Sequence, residues 1–188
     1  HFRGRERSGA GIVVAVIDSG IDPMDPRVSG HRISGWNIDL GATGHALLGS
    51  GGADVNGHGT TMAAAVSAVA PAVEFLGIRI MDRDLRTSAD LMAAGIETAF
   101  RNGARIISLS MGTPNMGKAL LLRDTCALAV ESGSVVLAAA HPRGERAYPA
   151  DIPETVGVAS HPDCGADRFF HFDAQHFDAS EWGHLSGK

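Results

Sequence analysis

The sequence predicts a single three-layer α/β domain, spanning residues 1–188, with a doubly wound and mainly parallel sheet. Short apolar runs rich in β-branched residues alternate with longer segments of helical periodicity. This alternation is typical of parallel strands that are covered by helices on both faces. The length of 188 residues suits one domain with a substantial core, and 44% hydrophobic and 20% charged residues are ordinary values for a folded protein.

The individual elements follow from periodicity and from glycine, proline and serine punctuation. Strands are predicted at residues 11–17, 73–80, 105–110, 135–140 and 155–159. Helices are predicted at residues 60–69, 88–102 and 118–131, with Ser88 as the N-cap of the second. In doubly wound sheets functional groups collect at the carboxyl ends of strands, and Asp18, Ser110 and His141 each lie at or just beyond such an end.

Composition excludes several classes of partner. The formal net charge of -5 argues against a broad nucleic-acid-binding face. No apolar run approaches the roughly 18–20 residues that a membrane helix needs. We therefore expect no nucleic acid and no membrane as partners, and we assign no cofactor. The chain begins at His1 without a methionine or an apolar leader, and we interpret it as a processed form or a fragment.

Two residues could carry acid–base chemistry. Asp18 directly follows a buried strand, where a rigidly held carboxylate can orient an imidazole; a turn-forming aspartate before Ser19 is the alternative. His58 is flanked by Gly57 and Gly59 at the start of a small-residue helix, which combines exposure with positional control. A single exposed histidine more often has no catalytic role, so both interpretations stay open for each residue.

Four segments, in order along the chain, resemble the subtilisin-like serine peptidases, or subtilases. Residues 14–22 resemble the aspartate box of that family, and residues 57–71 resemble its histidine box with the helix that follows. Residues 106–112 are similar to the strand that lines the specificity pocket, and residues 135–159 to the stretch that carries the oxyanion-hole asparagine. The resemblance covers residues 9–160 and leaves 161–188 as a divergent tail rich in histidine and phenylalanine.

The resemblance implies a subtilisin-like fold and an endopeptidase acting on extended peptides, and it favours secretion. It implies that Asp18 orients the imidazole of His58, which acts as general base and acid. It also implies that one stretch binds the substrate backbone, namely Ser108, Leu109, Ser110, Met111 and Gly112.

The chain departs from the family pattern at two places. His141 stands where the resemblance places the oxyanion asparagine. None of Ser160, Ser180 and Ser186 lies in a Gly-Thr-Ser-x-Ala segment that opens a helix, so no nucleophile is assigned. We therefore expect the fold to be incomplete at its C-terminus and the chain to be inactive as it stands. The serine would come from a missing C-terminal segment or a second chain. The alternative is a catalytically silent peptide-binding or scaffolding module that works with a partner.

The tail also offers a weaker alternative, a zinc site. His161 and Cys164 have a ligand-like spacing, but no second pair at zinc-finger spacing follows them. We interpret these side chains as polar loop residues and assign no metal. The residues concerned are His161, Cys164, His171, His176 and His184.

Overall fold

The computed structural model describes residues 8–164, 169–171 and 176–180, which belong to two compact units. The first unit is His1–Ser108 and the second is Leu109–Lys188. Across the described residues, no helix is both long and apolar enough to cross a bilayer.

The first unit is an α/β sheet with one antiparallel edge. Its strands are β1 (Val13–Asp18), β2 (Ile33–Leu40), β3 (Ala46–Ser50), β4 (Glu74–Arg79) and β5 (Ile106–Leu109), which ends at the division between the units. Its helices are α1 (His58–Val69) and α2 (Ala89–Arg101). The strand order is β3-β2-β4-β1-β5. Strand β4 pairs in parallel with both β1 and β2, whereas β3 pairs antiparallel with β2.

The two helices of this unit lie on opposite faces of the sheet. Val14 and Val16 of β1 belong to a buried cluster with Ala63 of α1. Ile17 points to the other face, because successive side chains of a strand alternate. There it meets α2, where a Cβ added at Gly95 would lie 2.9 Å from Cγ2 of Ile17. The result is the helix–sheet–helix arrangement that the sequence predicts.

The second unit contains four strands and one long helix. The helix α3 (Ala119–Glu131) follows a 3₁₀ turn, Met116–Lys118. The strands are β6 (Val135–Ala139), β7 (Thr155–His161), β8 (Phe169–His171) and β9 (His176–Ser180), in the order β6-β7-β9-β8. Strand β7 is parallel to β6 and β9, and β8 is antiparallel to β9. Leu122, Cys126 and Val136 are fully buried where α3 packs on β6.

Four strands lie where the sequence predicts no element, namely β2, β3, β8 and β9. Strand β2 contains Gly35, which weakens the strand signal because glycine has low β-propensity. The structure gives a reason for that glycine. A Cβ at Gly35 would lie 2.4 Å from the carbonyl oxygen of Gly51 and 2.6 Å from that of Gly77.

Candidate active site

Asp18 and His58 are brought together in the first unit. Asp18 is the last residue of β1, and alternation places it on the same face as Val14 and Val16, which is the face that α1 covers. His58 is the first residue of α1. Its Nδ1 lies 2.9 Å and 3.0 Å from the two carboxylate oxygens of Asp18.

This contact sets the protonation chemistry of the imidazole. Asp18 is 0% exposed, whereas the His58 side chain is 35% exposed. The hydrogen bond to Asp18 raises the pKa of His58; burial opposes the rise, and the negative charges of Asp18 and Asp54 add to it. With Nδ1–H donating to Asp18, Nε2 is the nitrogen that can take up a proton, and the carboxylate stabilises the resulting cation.

The glycine after His58 is required by the close approach of α1 to β1. A Cβ at Gly59 would lie 2.2 Å from the carbonyl oxygen of Gly20 and 3.1 Å from Cβ of Asp18. Real Cβ atoms do not approach a backbone oxygen so closely. The second glycine of the Gly-His-Gly sequence therefore lets the helix start within hydrogen-bonding distance of Asp18.

The loop before His58 is organised around Asp54, a residue that sequence reasoning missed. Its Oδ1 accepts hydrogen bonds from the backbone N–H groups of Asn56 (2.9 Å) and Gly57 (2.7 Å) and from the Ser19 hydroxyl (2.7 Å). Its Oδ2 accepts from the backbone N–H of Thr60 (2.9 Å) and from the Thr60 hydroxyl. Burial alone would raise the pKa of this carboxyl, but the hydrogen bonds outweigh it and lower the pKa to about 2.

A signal for Asp54 was present in the sequence. The N-cap residue of α1 is Gly57, which has φ 99° and no side chain with which to cap the helix. The first N–H groups of any helix need partners. Asp54 lies three residues before that glycine, so its carboxylate was the available cap.

Of the remaining predicted site residues, Ser108 belongs to the first unit and the others belong to the second. Ser108 and Leu109 end β5. Ser110, Met111 and Gly112 line a largely apolar cavity of about 400 Å³ that His141 also lines.

Among the described residues, the His141 ring has one hydrogen bond. Its Nδ1 accepts a hydrogen bond of 3.3 Å from the backbone N–H of Arg143. Because Nδ1 is the acceptor, Nε2 carries the hydrogen in the neutral ring. That Nε2 lies 3.9 Å from Oε2 of Glu145.

Comparison with known proteins decides the family. The model of the subtilase family, Peptidase S8, matches residues 9–171. This chain belongs to the subtilase family. Thermitase of Thermoactinomyces vulgaris is 32% identical over 167 residues, which cover 81% of this chain and 56% of thermitase. Subtilisin E of Bacillus subtilis strain 168 is 30% identical over 168 residues, which cover 81% of this chain and 42% of subtilisin E.

The fold comparison agrees with the family. The structure of sphericase matches with a TM-score of 0.68 and 26% identity, covering 81% of this chain and 54% of that one. The predicted family and the predicted α/β fold class are thus confirmed. This subtilase spans about half the length of the relatives it matches.

Among the described residues from Ser160 onward, we assign no nucleophile and no metal site. Ser160 lies within β7 and does not open a helix; Ser186 and the side chain of Ser180 lie outside the described residues. Within the part of the chain that the structure describes, no three His, Cys, Asp or Glu side chains are grouped closely enough to hold a metal ion. His184 and the side chain of His171 lie outside that part, so the zinc alternative is not tested through them.

Proposed function

We propose that this subtilase domain contributes Asp18 and His58 to a Ser-His-Asp site that cleaves peptide bonds in extended substrates. The observation that supports it is the 2.9 Å hydrogen bond from Nδ1 of His58 to the buried Asp18 carboxylate. In this proposal Nε2 of His58 takes the proton of a serine hydroxyl as that oxygen attacks the substrate carbonyl. The same nitrogen then returns the proton to the leaving amine, while Asp18 holds the ring in place.

We also propose that the 188 residues do not hydrolyse peptides by themselves. No serine of the sequence stands in the Gly-Thr-Ser-x-Ala setting that subtilases use. Loss of the triad serine removes about 10⁶ in turnover in a subtilisin-type site. The serine would therefore reach His58 from a C-terminal continuation or from a second chain.

Substrate binding is proposed for the stretch that follows β5. Residues 110–112 line an apolar cavity suited to a medium or large apolar side chain. The backbone of Ser110, Met111 and Gly112 would pair with the substrate strand as in other strand-addition modes. Ser108 and Leu109 end β5, whose backbone is already hydrogen-bonded in the sheet. His141 would supply the oxyanion donor through Nε2–H. The carboxylate of Glu145, 3.9 Å from that nitrogen, makes it a weaker donor to an anion than an asparagine amide.

A fluorophosphonate serine-hydrolase probe tests the proposal. Intact-mass spectrometry of the 188-residue chain should show no adduct. A chimera then appends to this chain the part of thermitase beyond the matched region. It should gain one adduct, which a His58→Ala substitution abolishes and a His45→Ala substitution at an exposed loop position does not.

The outcomes separate the two candidate functions. An adduct on the 188-residue chain that depends on His58 would contradict its proposed inactivity. A chimera that unfolds cooperatively, binds peptides and stays unlabelled would replace the peptidase proposal with the catalytically silent binding module.

A further inference from the structure

We propose that Asp54 is a positioning residue that fixes His58 against Asp18 by acting through Ser19 and the first turn of α1. This inference rests on the proposed function, because it assigns the group that keeps the proposed catalytic pair in register. The hydrogen bonds of Asp54 described above join it neither to His58 nor to Asp18.

Both neighbours of His58 are glycines, and each is held by this network. The N–H of Gly57 donates to Oδ1 of Asp54 (2.7 Å). The N–H of Gly59 donates to the Ser19 hydroxyl oxygen (2.9 Å). Glycine is the residue with the greatest backbone freedom. Without these two bonds, the histidine would be carried by the most flexible type of backbone on both sides.

Ser19 joins the carboxylate network to the catalytic strand. Its side chain is fully buried, and its hydroxyl donates to Asp54 while accepting from Gly59. Its own backbone N–H donates to Oδ1 of Asp18 (2.7 Å). One residue therefore connects Asp54, the turn that carries His58 and the carboxylate that His58 must meet.

The anchoring extends one residue further into α1. Oδ2 of Asp54 accepts from the backbone N–H and the hydroxyl of Thr60. The Thr60 oxygen in turn accepts from the backbone N–H of Asp22 (2.9 Å). A carboxylate at a helix N-terminus also interacts favourably with the helix dipole. The first turn of α1 is thus fixed on both sides of the histidine.

Asp54 has an electrostatic effect on the imidazole as well. The charged groups that raise the pKa of His58 are Asp18, through the direct hydrogen bond and its charge, and Asp54, through its charge alone. A purely electrostatic role would need the charge but not Ser19. A positioning role needs both, and this difference makes the two roles separable by experiment.

The test is an NMR titration of the full chain labelled with ¹³C-histidine, with the His58 signal assigned from a His58→Gln variant. Asp54→Asn and Ser19→Ala should each lower the pKa of His58, because each loosens its contact with Asp18. The double variant should lower it no further than the stronger single variant, since both act along one path. Asp25→Asn is the matched control, as Asp25 lines the same surface cavity as Asp54 but pairs with Arg27.

Three outcomes decide the inference. A lowered pKa in both single variants, without additivity and with Asp25→Asn silent, supports it. An unchanged pKa in a folded Ser19→Ala variant overturns it; if Asp54→Asn still lowers the pKa, the role of Asp54 is charge alone. Unchanged values in both variants with only a lower melting temperature would leave Asp54 a structural cap and also overturn it. Ser19→Ala removes only one oxygen atom, so the test can still be made with this variant if Asp54→Asn does not fold.

An Asp18→Asn variant separates this inference from the proposed function. If Asp18→Asn does not lower the pKa of His58, the proposed catalytic pair fails. If Asp18→Asn lowers it while Asp54→Asn and Ser19→Ala do not, only the positioning role of Asp54 fails.

Discussion

The two histidines that we propose for catalysis are held very differently, each within its own unit. Nδ1 of His58 has a buried carboxylate at 2.9 Å, and the backbone on both sides of the ring is anchored by Asp54 and Ser19. The His141 ring accepts one hydrogen bond of 3.3 Å from a backbone N–H and has a carboxylate 3.9 Å away, and the five residues that follow it are exposed.

The difference indicates which of the proposed catalytic groups is fixed by the packing of the fold. The aspartate–histidine pair is part of the packing of the first unit, because Asp18 ends a core strand and α1 starts against it. His141, proposed for the oxyanion position, has one ring hydrogen bond within the second unit. We therefore expect substitutions at position 141 to disturb the fold less than substitutions around His58.

The largest expected effect comes from Gly59→Ala. The added methyl group would lie 2.2 Å from a carbonyl oxygen of Gly20, so α1 must move away from β1. We expect a loss of about 3 kcal/mol in the free energy of unfolding, the upper part of the usual range for overpacking. Urea unfolding followed by circular dichroism measures it.

Two further glycine substitutions sharpen this comparison. Gly144, in the loop after His141, has φ 72° and open space around its Cβ position, so Gly144→Ala should cost only about 1 kcal/mol. Gly30 has open space without a left-handed backbone, and Gly30→Ala should cause no loss. Equal losses for Gly59→Ala and Gly144→Ala would show that α1 does not need its close approach to β1.

The next effect is a loss of stability in acid that depends on Asp54. Its pKa is about 2 in the folded chain against an ordinary value of 3.8. A lowered pKa stabilises the fold above the ordinary value, and that contribution disappears as the pH falls through the folded value. For a part-buried carboxylate we expect about 1–2 kcal/mol after solvent screening, lost between about pH 4.5 and pH 2.

Urea unfolding at a series of pH values measures this loss. The slope of stability against pH in that window should be shallower in Asp54→Asn. Asp25 also has a pKa of about 2, from its hydrogen bonds with Arg27. Asp25→Asn should flatten the slope less, because exposed ion pairs contribute little to stability. A slope in Asp54→Asn equal to that of the unmodified chain would contradict the prediction.

The sequence was informative about the fold where strands are continuously apolar. All five predicted strands and all three predicted helices exist, and Ser88 caps α2 by accepting from the N–H of Leu91. The edge strands were missed for a physical reason. An edge strand such as β3 is exposed along most of its length, so it carries no alternation of buried and exposed residues from which to recognise it.

The sequence indicates the Asp18–His58 contact, whereas it gives little sign of the role that we propose for Asp54. Asp18 and His58 stand out by position, since each ends or begins an element. Asp54 acts through hydrogen bonds to residues 35 positions earlier and up to six positions later. In the sequence Ser19 stands out only as the neighbour of Asp18. The sequence does not show that the Ser19 hydroxyl accepts a hydrogen bond from the N–H of Gly59.

A smaller effect is expected on the alkaline side from His58. Its pKa in the folded chain lies above the ordinary 6.5. A raised pKa stabilises the fold fully below 6.5, and that stabilisation is lost as the pH rises through the folded value. Between about pH 6 and about pH 9, the unmodified chain should therefore lose more free energy of unfolding than a His58→Gln variant does. His45→Gln, at an exposed position, should behave like the unmodified chain; if it matches His58→Gln instead, the effect does not come from the pair.

The smallest expected effect is that of His141→Asn. Its ring makes one long hydrogen bond, and the change retains a short polar side chain that can still accept from the N–H of Arg143. The free energy of unfolding should change by less than about 0.5 kcal/mol. In the thermitase chimera the same substitution should speed labelling by the fluorophosphonate probe, because an amide N–H replaces a donor that lies beside the Glu145 carboxylate. A large loss of stability would mean that His141 is as firmly built into its unit as His58, and the contrast between the two histidines would then be wrong.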